Sequence, residues 1–136
     1  MCSSDLSNND VDRFSEMSSV AKVHKGVMLD PTVMSAETTL RAATIGGAEA
    51  LAAEASIGTL APGKQADLII LDLDQPHLTP LYNLPSHLVY AARGADVIHS
   101  LIAGQPVMKN RQLLTIDESE VIARMGEALK KLRPGG

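Results

Sequence analysis

The spacing of apolar residues changes once along this chain, near Ala55, and the change divides it into two kinds of structure. Before that point apolar residues recur every three or four positions, which is typical of amphipathic helices. After it, short apolar runs alternate with pairs of turn residues, the pattern of β-hairpins. A self-contained domain of 136 residues more often keeps one architecture throughout. The pattern therefore predicts an α+β chain in which the end of one structural unit joins part of another.

Two helical regions are predicted before Ala55. The first begins at Asn9 or Asp10, and its buried side is predicted to comprise Val11, Phe14, Met17 and Ala21. The second follows Ser35, whose hydroxyl can accept hydrogen bonds from the amides of a first helical turn. Its predicted buried residues are Leu40, Ala43, Ala48 and Leu51. Gly46-Gly47 interrupts this pattern, so two short helices or a kink are expected rather than one rod.

A β-meander is predicted after Ala55. Ala61-Pro62-Gly63-Lys64 has the residues of a type II turn, and the apolar run at residues 66–74 is the clearest strand. A Pro-rich loop and a short helix at about 86–92 follow. Further strands are predicted at 97–103, 106–109 and 112–116, with turns at Gly104-Gln105 and Asn110-Arg111.

The chain is predicted to end in a helix. Asp117 is its expected N-cap, and Glu120 lies three residues later, as in a capping box. The predicted buried stripe consists of Val121, Met125, Ala128 and Leu132, and Pro134 ends the helix.

Composition excludes several classes of partner. The net charge of −4 and the aromatic content of 2 % argue against a nucleic-acid partner. Cys2 is the single cysteine, so an intrachain disulfide and a cysteine-based zinc site are excluded. Neither a secretory signal nor a run of ~20 apolar residues is present, so no membrane partner and a cytoplasmic location are expected.

No catalytic centre can be derived from residue spacing. His24, His77, His87 and His99 show no HxH or HxxxH pair, so surface or hydrogen-bonded structural roles are predicted for them. Asp72 and Asp74 would share one face of a strand and could hold a cation, although a solvated strand end is favoured. No GxSxG elbow or phosphate-binding loop is present.

Four stretches nevertheless resemble a known family. SNNDVD at residues 7–12 resembles the segment after the last barrel strand of methylthioadenosine/S-adenosylhomocysteine deaminases. LRAATIGGAEAL at 40–51 is similar to a helix pair of these enzymes, and IGTLAPGKQADL at 57–68 is similar to amidohydrolases generally. LVYAARGADV at 88–97, followed by IAGQPV at 102–107, resembles the deaminase and chlorohydrolase branch. The resemblance spans about residues 7–125.

The resemblance implies a fold. These metal-dependent hydrolases have a (β/α)₈ barrel flanked by a small β-sandwich built from both ends of the chain. Residues 7–55 would be the last barrel helices, 56–116 the C-terminal segment of the composite β-sandwich, and 117–136 a terminal helix and tail. Residues 1–6, MCSSDL, match nothing in the family pattern, and we interpret them as foreign to the gene.

The resemblance also implies a chemistry that this chain cannot perform alone. The family holds one metal ion, zinc or another divalent cation, with an HxH pair, two later histidines and an aspartate after the eighth strand. The histidine ligands would all lie upstream, and the aspartate position falls on Ser3, with Asp5 in a shifted loop as the alternative. We therefore expect a truncated, inactive chain without catalytic residues, cofactor or metal site of its own.

One loop of the chain is expected to approach the active site of the intact enzyme. Ser7, Asn8 and Asn9 would follow the eighth strand, and barrel enzymes place their catalytic groups at the C-terminal ends of strands. Side-chain amides do not titrate near neutral pH, so this loop is expected to support the metal-binding residues rather than react. Plain helix capping by Asn9 is the alternative.

The implied activity is hydrolysis of a C–N bond other than a peptide bond. The expected substrate is a small heterocycle, foremost S-adenosylhomocysteine or methylthioadenosine, with guanine, cytosine and triazines also compatible. Homo-oligomers are compatible with the family as well. The alternatives are a stand-alone β-sandwich binding or assembly module without catalysis and an unrelated small α+β domain. The match continues upstream of Ala55 into barrel helices, which favours the truncated enzyme.

Overall fold

A computed structural model describes residues 11–132 of the chain. Residues 1–6, the loop Ser7-Asn8-Asn9 and the predicted stop at Pro134 lie outside the described residues. The predicted start of the first helix at Asn9 or Asp10 is wrong, because this helix begins at Arg13, after the N-cap Asp12. The five α-helices are α1 (Arg13–Met28), α2 (Ala36–Ala43), α3 (Ile45–Ala50), α4 (Leu84–Tyr90) and α5 (Glu118–Leu132). The strands are β1 (Leu68–Leu71), β2 (Val97–Ile102), β3 (Gln105–Lys109) and β4 (Gln112–Leu113). Single 3₁₀ turns span Pro76–Leu78 and Gly94–Asp96.

Helix α1 begins where a carboxylate can satisfy its first free amides. The Asp12 side chain accepts a hydrogen bond from the Phe14 N–H at 2.9 Å and forms the N-cap. Phe14, Met17 and Ala21 are buried, which confirms the predicted face. The prediction for Val11 is wrong: this residue is 62 % exposed, because it precedes the cap and has no position on the helix.

The second helical region is divided, as predicted, but at a different residue. The Ser35 hydroxyl accepts a hydrogen bond from the Thr38 N–H at 3.2 Å and caps α2. The break falls at Thr44, whose hydroxyl donates to the Leu40 carbonyl at 2.8 Å, while Gly46-Gly47 lies inside α3. Ala43 and Leu51 were expected to be buried and are exposed, because they occupy the ends of α2 and α3.

The four strands form an antiparallel sheet in the order β1-β2-β3-β4, and the meander predicted from Val97 onwards is confirmed for β2-β3-β4. Ala103-Gly104 joins β2 to β3 with φ values of 49° and 76°, one residue earlier than predicted. Asn110-Arg111 joins β3 to β4 with φ values of 49° and 63°, at the predicted position. Two-residue turns with positive φ suit the twist of the flanking strands.

Strands β1 and β4 are shorter than the sequence predicts. The strand predicted for residues 66–74 is limited to β1, because the Asp72 carboxylate accepts from the Asp74 N–H at 3.1 Å and turns the chain. The strand predicted for 112–116 is limited to Gln112–Leu113. The type II turn before β1 is confirmed: Gly63 has φ 88°, and the Lys64 N–H donates to the Ala61 carbonyl at 3.2 Å.

The core lies between the helices and the start of the sheet. Its buried residues come from α1, α2, the Pro76–Leu78 turn, α4 and the segment after α4: Phe14, Met17, Ala21, Ala36, Leu78, Val89 and Ala92. Leu71 of β1, Leu73 after it and Val97 of β2 pack against this cluster. The helical part and the sheet therefore share one apolar core.

Helix α5 does not share that core. Its cap is confirmed, because the Asp117 carboxylate accepts from the Glu120 N–H at 3.1 Å. The predicted stripe is exposed, however, and Met125 is 67 % accessible. None of the 15 residues of α5 is buried. The prediction that this stripe is buried is therefore wrong. Within the described part of the chain, no apolar surface covers the stripe.

Candidate functional site

Asp96 anchors the turn where the helices meet the sheet. Its side chain is buried, and its carboxylate accepts a hydrogen bond from the Arg93 N–H at 2.9 Å. The same oxygen lies 3.0 Å from Nε2 of His77. The Asp96 carbonyl accepts a hydrogen bond from the Asp72 N–H at 2.8 Å. Asp72 directly follows β1, so this bond connects the turn to the end of that strand. Asp96 thus joins three segments of the chain.

Asp12 reaches the same turn from the start of α1. Its Oδ2 accepts a hydrogen bond from the Gly94 N–H at 3.2 Å, across a sequence separation of 82 residues. Two carboxylates therefore hold the adjacent peptide N–H groups of Arg93 and Gly94. We refer to Asp12, His77, Arg93, Gly94 and Asp96 as the carboxylate junction.

The charge state of Asp96 follows from its surroundings. Burial raises the pKa of the Asp96 carboxyl, but hydrogen bonds from His77 and the Arg93 N–H, with the charges of His77 and Arg93, hold that pKa below its usual value. An ionised carboxylate only accepts hydrogen bonds, so Nε2 of His77 is the donor. Oδ2 of the buried carboxylate accordingly accepts hydrogen bonds from two donors, the Arg93 N–H and Nε2 of His77.

Stability at the junction is expected to depend on pH. Because the pKa of Asp96 is lower in the folded chain, its ionised form stabilises the fold above the unfolded pKa of about 3.9. That contribution is lost as the pH falls through the folded pKa. Asp96→Asn should lower the free energy of unfolding by about 1–3 kcal/mol at pH 6, and the difference should shrink towards pH 3. Urea unfolding followed by circular dichroism at several pH values measures this.

Glu118→Gln is the matched control, because Glu118 is exposed in the first turn of α5. This substitution should leave the unfolding free energy within about 0.5 kcal/mol at every pH. A difference between wild type and Asp96→Asn that stays constant from pH 6 to pH 3 would contradict the assignment of an ionised, hydrogen-bonded Asp96.

An open cleft of about 490 Å³ lies beside the carboxylate junction. Its polar lining residues are Asp12, Ser15, Ser18, His77, Tyr90 and Arg93. The Lys25 amine donates to the Tyr90 hydroxyl and lies 5.0 Å from the centre of the Tyr90 ring. Within residues 11–132, no group of three or more His, Cys, Asp or Glu side chains is arranged to hold a metal ion. The side chains of residues 11–132 therefore do not provide the set of ligands that the zinc site of the family requires.

The remaining histidines occupy the roles predicted for them. His24 is exposed on α1. Nδ1 of His87 lies 2.9 Å from the Asn83 carbonyl, and Nδ1 of His99 accepts from the Asn110 N–H at 3.2 Å. The Asp72 carboxylate is used in the turn after β1, where it accepts from the Asp74 N–H.

The loop Ser7-Asn8-Asn9 cannot be placed, because it lies outside the described residues. Along the sequence, Asp12 of the carboxylate junction follows Asn9 by three residues. Residue spacing did not identify Asp12, Gly94 or Asp96 as partners. The one local signal was that Asp12 is a residue type favoured at N-caps, directly before a run at helical spacing.

The family of the chain follows from comparison with known proteins. The model of the amidohydrolase family matches residues 1–107, so the chain belongs to the amidohydrolase family. The match includes the six residues interpreted above as foreign. The predicted resemblance to methylthioadenosine/S-adenosylhomocysteine deaminases is also confirmed. A 5-methylthioadenosine/S-adenosylhomocysteine deaminase from Syntrophobacter fumaroxidans is 52 % identical over 128 residues, covering 94 % of this chain and 29 % of the relative.

Two further proteins bear on the comparison. A 5'-deoxyadenosine deaminase from Methanosarcina acetivorans is 42 % identical, covering 93 % of this chain and 29 % of that protein. The crystal structure of a zinc-bound adenosine deaminase from Xanthomonas campestris superposes with a TM-score of 0.90 at 41 % identity, covering 93 % of this chain and 29 % of its own. The chain thus spans about 29 % of the length of the relatives it matches.

Proposed function

We propose that this chain is the C-terminal part of a metal-dependent amidohydrolase that deaminates an adenosine-like substrate by hydrolysis. The supporting observation is that more than nine-tenths of the chain aligns with relatives whose names all denote deaminases of adenosine-like compounds. S-adenosylhomocysteine and methylthioadenosine are the foremost substrates. Since 29 % of such a relative is present, we propose that the chain alone is inactive.

The proposed architecture assigns residues 7–55 to the last barrel helices, 56–116 to the composite β-sandwich and 117–136 to a terminal helix. Exposed apolar faces support it. Helix α1 buries Met17 and Ala21 on one side but exposes Val23 and Val27 on the other. A helix that is apolar on both sides is suited to burial between two layers. Further polypeptide, such as a barrel, would cover the outer face.

We propose that residues 11–132 contribute no ligand to the metal ion of the intact enzyme. Zinc or another divalent cation would supply an activated water for attack on the ring carbon that bears the amino group. The donors of residues 11–132 do not fit that ion, so its ligands are assigned to upstream residues. The role proposed for this chain is to complete the barrel and the sandwich and to support the loop Ser7-Asn8-Asn9.

A chimera tests whether the chain can complete such an enzyme. The aligned C-terminal part of the Syntrophobacter deaminase is replaced by this chain from Ser7 onwards, and ammonia release from methylthioadenosine and S-adenosylhomocysteine is measured. The upstream part without this chain is the control and should be inactive. A folded, zinc-loaded chimera without activity would favour the non-catalytic module. The substrate is then tested after restoring the chain's own upstream reading frame, which should encode HxH.

Within the active chimera, Asn8→Ala or Asn9→Ala should lower turnover or metal content by roughly 10–100-fold. Residues that orient metal ligands have effects of this size. Asn83→Ala is the matched control, because the Asn83 side chain caps α4 by accepting from the Ser86 N–H at 2.9 Å. That control should lose thermal stability but keep its turnover. If Asn8→Ala and Asn9→Ala behave like Asn83→Ala, the loop contributes to stability and not to the active site.

A further inference from the structure

We infer that Asp12 is a positioning residue, which anchors the start of α1 to the Arg93–Asp96 turn. This inference rests on the proposed function, because the loop Ser7-Asn8-Asn9, which precedes α1 in the sequence, is assigned there to the neighbourhood of the active site. The carboxylate of Asp12 contacts two separate parts of the chain. Oδ1 accepts from the Phe14 N–H at 2.9 Å, and Oδ2 accepts from the Gly94 N–H at 3.2 Å.

The two hydrogen bonds have different consequences. The bond to Phe14 caps α1 and would form on any helix that begins with aspartate. The bond to Gly94 is long-range, and it fixes where the chain enters α1 relative to the sheet. A Cβ atom at Gly94 would lie 3.4 Å from Oδ1, so the carboxylate also packs against the turn. Helix capping explains the first bond and leaves the second unexplained.

The turn is a firm anchor because it is held independently of Asp12. Asp96 binds the Arg93 N–H and His77, and its carbonyl accepts from the Asp72 N–H. Three residues separate Asn9 from Asp12, which limits the distance between them to about 11 Å. The start of α1 is therefore fixed relative to the sheet close in sequence to the loop that is proposed to support the active site.

The substitution Asp12→Asn distinguishes the hydrogen bond to Gly94 from the hydrogen bond that caps α1. Asparagine is as good an N-cap as aspartate, so its side-chain oxygen can still accept from the Phe14 N–H. Its second polar group is an NH₂ donor, which would face the donor N–H of Gly94. Asp12→Asn thus keeps the cap and removes the bond to Gly94.

Hydrogen exchange of the full 136-residue chain, followed by NMR, tests the anchor directly. Asp12→Asn should accelerate exchange of the Gly94 amide by about 10–100-fold, as expected for loss of a hydrogen bond to a charged group, and should leave the Phe14 amide unchanged. Asp117→Asn is the matched control, because Asp117 caps α5 through the Glu120 N–H. It should affect neither amide. Unchanged exchange at Gly94 in Asp12→Asn would overturn the inference.

Kinetics of the chimera test the consequence for the active site. Asp12→Asn should lower kcat by about 10-fold while KM and the unfolding temperature stay close to those of Asp117→Asn. Accelerated exchange at Gly94 with an unchanged kcat would show that the anchor does not position the active site, and the inference would fail. Inactivity of the unsubstituted chimera would instead count against the proposed function, and the exchange experiment would still report on the anchor.

Discussion

Replacing Gly58 by alanine is expected to lower the free energy of unfolding by about 2–5 kcal/mol. Gly58 has φ 87°, a conformation in which a side chain adds about 1–2 kcal/mol of strain. A Cβ atom there would also lie 2.7 Å from the Cβ of Ala48 and 3.0 Å from the Cα of Ile45. Relieving such an overlap costs about 1–3 kcal/mol, and backbone atoms of α3 cannot rotate away. Both costs act on the packing of α3 against the segment that leads to the sheet.

Gly63→Ala is the matched control for this substitution. Gly63 has nearly the same φ, 88°, but no atom lies within 4 Å of the position of its Cβ. Alanine should therefore cost only the conformational strain of about 1–2 kcal/mol. Urea unfolding followed by circular dichroism compares the two variants. Equal losses for Gly58→Ala and Gly63→Ala would contradict the close contact between Gly58 and α3.

Leu78→Ala is expected to lower the unfolding free energy by about 2–5 kcal/mol as well, through a different mechanism. Leu78 is 1 % exposed and belongs to the core cluster with Phe14, Met17 and Val89. Truncation removes buried methyl groups and leaves a cavity that neighbouring residues fill incompletely. Leu78 lies on a single 3₁₀ turn, so its contribution to the fold comes from tertiary packing rather than from helix propensity.

Leu60→Ala provides the comparison for Leu78→Ala, because Leu60 is 78 % exposed in the segment before β1. The same chemical change should cost less than about 0.5 kcal/mol there. Unfolding midpoints and slopes in urea should be measured for both variants. A Leu78→Ala variant with the midpoint of Leu60→Ala would show that the cluster around Leu78 is not the core.

Features set by neighbouring residues could be predicted from the sequence. The caps at Ser35 and Asp117, the type II turn at Gly63 and the turn at Asn110-Arg111 each involve groups within four positions of one another. The order β2-β3-β4 follows from such turns, because short loops pair consecutive strands, whereas residues 72–96 separate β1 from β2. The amidohydrolase resemblance was carried by motifs of the same local kind, and the family match confirms it.

Features that depend on distant residues could not be predicted. The hydrogen bond between Asp12 and Gly94 joins residues 82 positions apart, and no local pattern marks Gly94 as a donor to α1. His77 was predicted to be a surface or hydrogen-bonded structural residue, but its partner Asp96 was not. The predicted burial of the apolar stripe of α5 is wrong for a related reason. Periodicity shows which face of a helix is apolar, whereas burial also requires a surface to cover it.

The long-range bond between Asp12 and Gly94 also bears on the order of folding. Closing a loop of 82 residues costs about 3 kcal/mol more conformational entropy than closing a two-residue turn. The β2–β3 hairpin can therefore form early from neighbouring residues, whereas α1 must find α4 and the Arg93–Asp96 turn across most of the chain. Burial of Phe14, Met17 and Leu78 offsets that entropy only once the long loop has closed. We therefore expect the helical core to form after the β2–β3 hairpin, whose contacts are local.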